Sequence, residues 1–515
     1  MVQPHETVRP AAMSLKEATA SQQAAFTTLA AFCQGQPDRL RRRVLAGYAG
    51  TGKTWLVTHL VRAACDAGLR VAVCAPTHKA LAVIAAKLDA CDRNPVWVGT
   101  LHALLGLKLT EHQDGTLQMT MDRRPNGTYL EHYDMVFVDE ASMVGPVLLA
   151  HIERTTRRTP TRILFIGDPG QLLPVVTRPA PEDAGQAVLA TADEIPMPPV
   201  FQAVAAQTAL TEIVRQKATG RPHPIVQFAQ EIRRYIEGQA EGVFGPDAIR
   251  FYLDAHRDEI DPGVRLTESA RIAHGVMTLR QRRPHKDIRA IAWRNRVVDE
   301  CNRVIHAGLA GIYPRVVSVS PPPFWVGETV VAREALYAFR PSATMRERDP
   351  LSWERALAPQ GKGRGAARAF NELVELVANN TEMIVQSCDA LRHPYLNIAS
   401  WHVVAELPDH HIVEFFVADD PREHRRQSAD VWNAYRQGAK RHDAAFRHAW
   451  AVTRACAPVT HAYALTAHKS QGSTFHYVLV DLHDLQGLAA DDPHGYHRAF
   501  YVAVTRATER VWLGL

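Results

Sequence analysis

The residues best suited to chemistry are Gly47-Tyr48-Ala49-Gly50-Thr51-Gly52-Lys53-Thr54, spaced G-x-x-x-x-G-K-T. They lie between the apolar run Val44-Leu45-Ala46 and a helix-like segment from Trp55 to Val61. A strand, glycine-rich turn and helix in that order cradle a phosphate. Gly47, Gly50 and Gly52 let backbone N–H groups curl around an anion with no Cβ in the way. The helix N-terminus adds partial positive charge. Lys53 can reach β- and γ-phosphates, and the Thr54 hydroxyl can ligate Mg²⁺. Asp139-Glu140 ends the apolar run Met135–Val138. Asp139 suits the Mg²⁺ shell, and Glu140 suits orienting or deprotonating an attacking water. Gly167-Asp168-Pro169-Gly170-Gln171 closes Arg162–Ile166. There Gln171 either senses the γ-phosphate or sits in a plain turn, and spacing does not separate the two.

Positioning these groups takes a parallel sheet. Val44–Ala46, Arg70–Ala75, Met135–Val138 and Arg162–Ile166 are short apolar runs separated by helical patterns. Such runs read as strands buried on both faces, with functional residues at their C-terminal ends. Between Leu107 and Asp134 apolar and polar residues interleave, and Asp114-Gly115 is a turn signal, so a small hairpin is expected there. Pro- and Ala-rich residues 178–200 read as a linker or surface loop. A second α/β set follows, with a helix from about Pro224 to Glu237 and a strand Ile288–Trp293. Residues 324–454 are less regular, with strands at 327–331 and 382–385, an Arg-rich stretch at 339–370 and a basic helical stretch at 431–455. The last 60 residues return to the α/β pattern.

Composition bounds the rest. A chain of 515 residues exceeds one compact core, so two to four domains are expected. The net charge of +5 permits a polyanionic partner without requiring one. The seven cysteines are scattered and form no C-x-x-C. A disulfide framework or cysteine zinc site is not expected, and a reducing compartment fits. With no membrane-length apolar run and no signal-peptide pattern, a cytoplasmic location and no membrane partner are expected.

The motifs together resemble superfamily 1 helicases. The resemblance rests on the phosphate loop, Ala75-Pro76-Thr77-His78-Lys79-Ala80, Gly99-Thr100-Leu101-His102, Val138-Asp139-Glu140-Ala141-Ser142-Met143 and Gly167–Val175. It continues in Leu210-Thr211-Glu212-Ile213-Val214-Arg215-Gln216, Thr466–Thr474 and Tyr501-Val502-Ala503-Val504-Thr505-Arg506-Ala507. The combination is most similar to the RecD/Dda branch, class B.

That resemblance implies an α/β fold of two RecA-like parallel-sheet P-loop domains. The first would span 1–200, with a strand-separating pin inserted at about 108–134 and its tip near 112–116. The second would span 201–323 and 455–515, interrupted at 324–454 by an SH3-like β subdomain. It also implies ATP in the cleft between the RecA-like domains. Gln22 would recognise adenine, and Gly472 would lie near the nucleotide. Lys53, Thr54, Asp139, Glu140 and Gln171 would serve one wall. Arg215 and Arg506 would reach the γ-phosphate, a role worth roughly 10³–10⁵ in rate in related phosphoryl transfer. The DNA track would use Thr77, His78, Lys79, Thr100, His102, Asn295, Thr466, His468 and Lys469, groups that suit phosphate oxygens without reading sequence. Trp293 either stacks on a base or packs at a strand end.

The expected activity is therefore an ATP-dependent DNA helicase moving 5′→3′ on single-stranded DNA and unwinding duplex. Its expected partners are single strands, single-to-double-strand junctions, and proteins of replication, repair or recombination. An RNA-directed superfamily 1 helicase, or a nucleotide-switched nucleic-acid-binding module that does not unwind, fits the same residues.

Overall fold

The computed structural model describes residues 18–36, 38–77, 80–81, 84–85, 88, 96–111, 117–121, 129–157, 159–174, 197–212, 223–260, 263–310, 322–340, 372–377, 379–408, 410–437 and 443–515. Those residues divide into two compact units. One comprises residues 1–264 and 486–505, the other 265–485 and 506–515.

The first unit contains β1 (Arg42–Gly47), β2 (Val71–Ala75), β3 (Trp97–Thr100), β4 (Leu107–Glu111), β5 (Leu117–Met121), β6 (Met135–Val138), β7 (Arg162–Gly167) and β8 (Gln207–Leu210). Six of these make one sheet in the order β3-β2-β6-β7-β1-β8, and every pairing is parallel. Alternation along each strand sorts side chains to opposite faces. Val44, Val136, Val138, Ile163 and Phe165 enter one core with the helix Pro146–Thr156. Leu45, Met135, Phe137, Leu164 and Ile166 enter the other with the helices Ala20–Cys33 and Lys53–Asp66. Two covered faces explain why these strands read as unbroken apolar runs.

The expected hairpin is present as the antiparallel pair β4–β5, with Leu107 opposite Met121. Its tip at 112–116 lies outside the described residues.

The expected boundary at residue 200 differs from the observed division. Leu210, read as part of the second α/β set, ends β8, which pairs with β1. The helix Pro224–Ile236 also belongs to the first unit, where Phe228 packs edge-on against Phe500 at 5.8 Å. The physical reason is that β1 would otherwise expose an edge, and β8 covers it.

The second unit holds β9 (Val264–Thr267, entering from the first unit), β10 (Ile288–Ala292), β11 (Thr329–Ala332), β12 (Leu336–Arg340), β13 (Glu372–Val377), β14 (Glu382–Arg392), β15 (Ala399–Glu406), β16 (Ile412–Ala418), β17 (Val459–His461), β18 (Ala464–Thr466), β19 (Phe475–Asp481) and β20 (Ala507–Gly514). One sheet runs β18-β10-β19-β20-β9, with β18, β10, β19 and β20 parallel. A second runs β16-β15-β14-β11-β17 and is antiparallel. Its core gathers Phe324, Val330, Met383, Trp401 and Val403. The antiparallel sheet thus reaches to His461, beyond the expected limit of 454. The basic helical stretch is two helices, Pro421–Gln437 and Asp443–Arg454. The Arg-rich stretch lies outside the described residues from 341 onward.

Candidate nucleotide and nucleic-acid site

Three neighbouring strands of the first sheet, β6, β7 and β1, end side by side, with Val138 opposite Phe165 and Ala46 opposite Gly167. Beyond those ends lie Asp139-Glu140, Asp168 to Gln171, and the phosphate loop. Sheet order therefore gathers three motifs that are up to 124 residues apart in sequence.

The loop's backbone shows why glycine is needed. Gly50 and Gly52 have φ of +84° and +80°, a region costly to side chains. At Gly47 a Cβ would stand 2.7 Å from Thr51 Oγ1. Lys53, the first residue of its helix, donates Nζ hydrogen bonds to the carbonyls of Gly47 (2.6 Å) and Tyr48 (3.1 Å). Thr54 follows, half-buried. Gln22 is buried and engaged: its Nε2 donates to Thr51 O at 3.0 Å, and its Oε1 accepts from Thr19 N–H at 3.1 Å. The residue expected to meet adenine is held directly against the loop.

Asp139 Oδ1 accepts from Glu140 N–H at 2.9 Å. Glu140 itself has φ +50° and ψ +45°, a strained conformation for a residue with a Cβ. Such strain clusters at functional sites. Gln171 is buried, and its N–H donates to Asp168 O at 3.2 Å.

Groups that sequence reasoning gave no role support this floor. Asp168 is fully buried; its Oδ1 accepts from Gly170 N–H at 2.9 Å and its Oδ2 from the Tyr501 hydroxyl at 3.0 Å. Arg498 donates to the carbonyls of Pro169 and Gln171. Burial holds Arg498 down to about 10. The Tyr48 hydroxyl bonds Glu237, and Arg233 lies over the Tyr48 ring. No local spacing announces the pairs that involve Tyr501, Arg498, Glu237 or Arg233.

In the second unit, Arg506 is buried and donates to Ser473 O at 3.1 Å. Gly472, with φ +74°, precedes that serine. Arg215 lies outside the described residues.

The expected strand-contacting residues form a set in each unit. Thr77 follows β2 and Thr100 ends β3, with Ala75 opposite Thr100. The Thr77 hydroxyl accepts from Ala80 N–H at 3.4 Å, and the Thr100 hydroxyl from Ala103 N–H at 3.1 Å. His102 is half-buried in the short helix that Thr100 caps. His78 and Lys79 lie outside the described residues. In the second unit Thr466 ends β18 and caps the next short helix, accepting from Lys469 N–H at 3.3 Å. All three threonines share one local device, a hydroxyl that accepts from the amide three residues on and keeps its own proton to donate.

β18 lies beside β10, so His468 meets Trp293 with ring centroids 4.9 Å apart. Burial lowers the His468 imidazole; burial and Arg333 lower the Lys469 ammonium against the opposing pull of Asp299. Asn295 is exposed at the start of the helix Asn295–Leu309. Buried Asp484, unremarked in the sequence, accepts from the N–H groups of Trp293 (2.7 Å) and Arg294 (2.8 Å) and bonds the Arg294 guanidinium.

Among the described residues, no helix is long and apolar enough to cross a membrane. Residues 17–241 match the AAA domain family and residues 461–513 the UvrD-like helicase C-terminal domain family. Over 197 residues the chain is 32% identical to the ATP-dependent RecD2 DNA helicase of Deinococcus radiodurans, covering 38% of this chain and 22% of that protein. Over 141 residues it is 29% identical to an uncharacterized protein of Acanthamoeba polyphaga mimivirus, covering 25% and 28%. The chain thus spans about a quarter of the length of these curated relatives. It is also similar to the crystal structure of Bacteroides Pif1 bound to ssDNA, at 16% identity and a TM-score of 0.48, over 98% of this chain and 92% of that one.

Proposed function

We propose that this chain is a class B helicase of superfamily 1, of the RecD/Dda branch, an ATP-dependent DNA helicase that moves 5′→3′ on single-stranded DNA and unwinds duplex. The observation that carries the ATPase reading is the alignment of three adjacent strand ends. It brings the phosphate loop, Asp139-Glu140 and the Gln171 turn to one edge of one sheet. The two family matches and the RecD2 relative support the coupling to DNA.

The sheet β3-β2-β6-β7-β1-β8 is assigned as a first RecA-like domain and β18-β10-β19-β20-β9 as a second. Lys53 and the loop amides hold the phosphates, and Thr54 and Asp139 hold Mg²⁺, whose chemistry is to neutralise charge building on the phosphate oxygens. Glu140 orients the attacking water and takes its proton. Gln171 senses the γ-phosphate, Arg215 and Arg506 offset its charge, and Gln22 with Gly472 serves the rest of the nucleotide. Thr77, His78, Lys79, Thr100, His102, Asn295, Thr466, His468 and Lys469 grip the DNA backbone, and Trp293 stacks on a base. The β4–β5 hairpin is the strand-separating pin, and the antiparallel sheet is the SH3-like subdomain. Single strands and junctions are the partners.

The test is ATP hydrolysis with and without single-stranded oligonucleotide. Lys53→Ala and Glu140→Gln should each abolish stimulated turnover and leave DNA binding measurable. Near-normal turnover in either variant would sink the site assignment. Polarity is tested on tailed duplexes; unwinding supported only by 3′ tails would reverse it. Stronger stimulation by RNA than by DNA would move the substrate class.

A further inference from the structure

His306, Glu328 and His461 meet inside the second unit, outside every group invoked above. They come from three distant places: the helix Asn295–Leu309, the turn before β11, and the end of β17. The Glu328 side chain is fully buried. Its Oε1 lies 2.6 Å from His461 Nδ1. Its Oε2 lies 3.2 Å from His306 Nδ1 and accepts from Trp325 N–H at 2.9 Å. One ring nitrogen of each histidine and one carboxylate oxygen all fall within 4.8 Å of one another. Trp325 packs against His306 and Phe324 against His461, so the walls are aromatic.

An ion pair alone accounts for this cluster incompletely. The imidazole rings stack with centroids 4.3 Å apart. His306 Nδ1 is buried and makes no hydrogen bond, although the carboxylate is near. Two imidazoles and one carboxylate are a donor set that zinc-class ions take.

We propose that His306, Glu328 and His461 form a binding site for a divalent transition-metal ion of the zinc class. The ion fastens the helix Asn295–Leu309, which flanks the parallel sheet, to the two strands β11 and β17 of the antiparallel sheet. Val330 already faces His461 across that pair, so the ligands sit where the two sheets of this unit join.

The test uses the full chain, stripped with a chelator and titrated with Co²⁺ and then Zn²⁺ in excess Mg²⁺, which prefers oxygen ligands. The expected result is one Co²⁺ per chain with visible d–d absorption, bleached by Zn²⁺, and a melting temperature raised by Zn²⁺. The chain has 25 histidines, so wild type is read against variants. Glu328→Gln removes a buried charge and can unfold the sheet. His306→Asn keeps the Glu328–His461 and Glu328–Trp325 contacts and is the deciding variant, with folding checked by circular dichroism. It should bind Co²⁺ at least tenfold more weakly and lose the Zn²⁺-dependent rise in melting temperature. Failure of wild type to take up Co²⁺, or equal uptake by folded His306→Asn, would show a hydrogen-bonded clamp instead and overturn the proposal.

Discussion

Tyr501 and Ala49 lie 452 positions apart in the chain, yet the Tyr501 hydroxyl accepts a hydrogen bond from the Ala49 N–H of the phosphate loop at 3.0 Å. The same hydroxyl donates to buried Asp168. One phenol thus ties the loop after β1 to the turn after β7. Tyr501→Phe strips a partner from both. The expected loss is about 2 kcal/mol of stability, between a neutral and a charge-assisted bond, together with slower ATP turnover. Urea unfolding and a stimulated ATPase assay check the two parts separately.

Glu140 offers a reversal of the usual alanine–glycine ranking. In ordinary helix or strand interiors glycine is less stable than alanine by roughly 0.5–1 kcal/mol. At φ +50° a Cβ costs about 1–2 kcal/mol. Glu140→Gly should therefore match or exceed Glu140→Ala in stability, by up to about 1 kcal/mol, while both lose turnover. Chemical denaturation of the pair decides it; a clearly more stable alanine variant would show the strain is absent.

Asp484 holds the start of the helix Asn295–Leu309 through two backbone amides and one guanidinium. Asp484→Ala leaves the Trp293 and Arg294 amides without this acceptor and should cost about 3 kcal/mol, while Asp484→Asn keeps one oxygen and should cost roughly half. Because Trp293 is positioned by the same carboxylate, weakened binding of single-stranded DNA should accompany the loss. Denaturation and oligonucleotide anisotropy measure the two effects.

His497 makes the first unit acid-sensitive. Its ring is buried, and Nε2 accepts from Phe244 N–H at 3.1 Å. Burial and neighbouring His494 hold its pKa down to about 4, from 6.5. The unfolded chain takes up a proton near pH 6.5, whereas the folded chain refuses it until about pH 4. Stability from this group is complete above pH 6.5 and falls with pH to about pH 4, by about 3 kcal/mol at 1.36 kcal/mol per unit. His497→Phe should flatten that dependence, at the expense of the Phe244 hydrogen bond at neutral pH. Melting temperatures from pH 7 to pH 4 test it; equal slopes would rule the group out.

Much of this was legible because it is local. The phosphate loop, Asp139-Glu140 and the Gly167–Gln171 turn are each contiguous with an apolar strand, and Met135–Val138 forms within the limits its pattern predicts. The capping threonines are also local, since hydroxyl and amide stand three residues apart. β8 is not legible in this way. Gln207–Leu210 is short and partly exposed, so its apolar signal is weak, and only the open edge of β1 explains it.

The amino-acid sequence by itself determined that the glycine-rich loop, Asp139-Glu140 and the Gly167–Gln171 turn stand at strand ends, because each motif is contiguous with its apolar run. Tertiary structure alone decided the order β3-β2-β6-β7-β1-β8, and with it which strand ends are neighbours. It also decided the pairing of Tyr501 with Ala49 and Asp168, of Asp484 with Trp293, and of Glu328 with His306 and His461. Those partners are separated by 22 to more than 400 positions. At such separations no periodicity links two residues, and only burial and the need to satisfy polar groups bring them together.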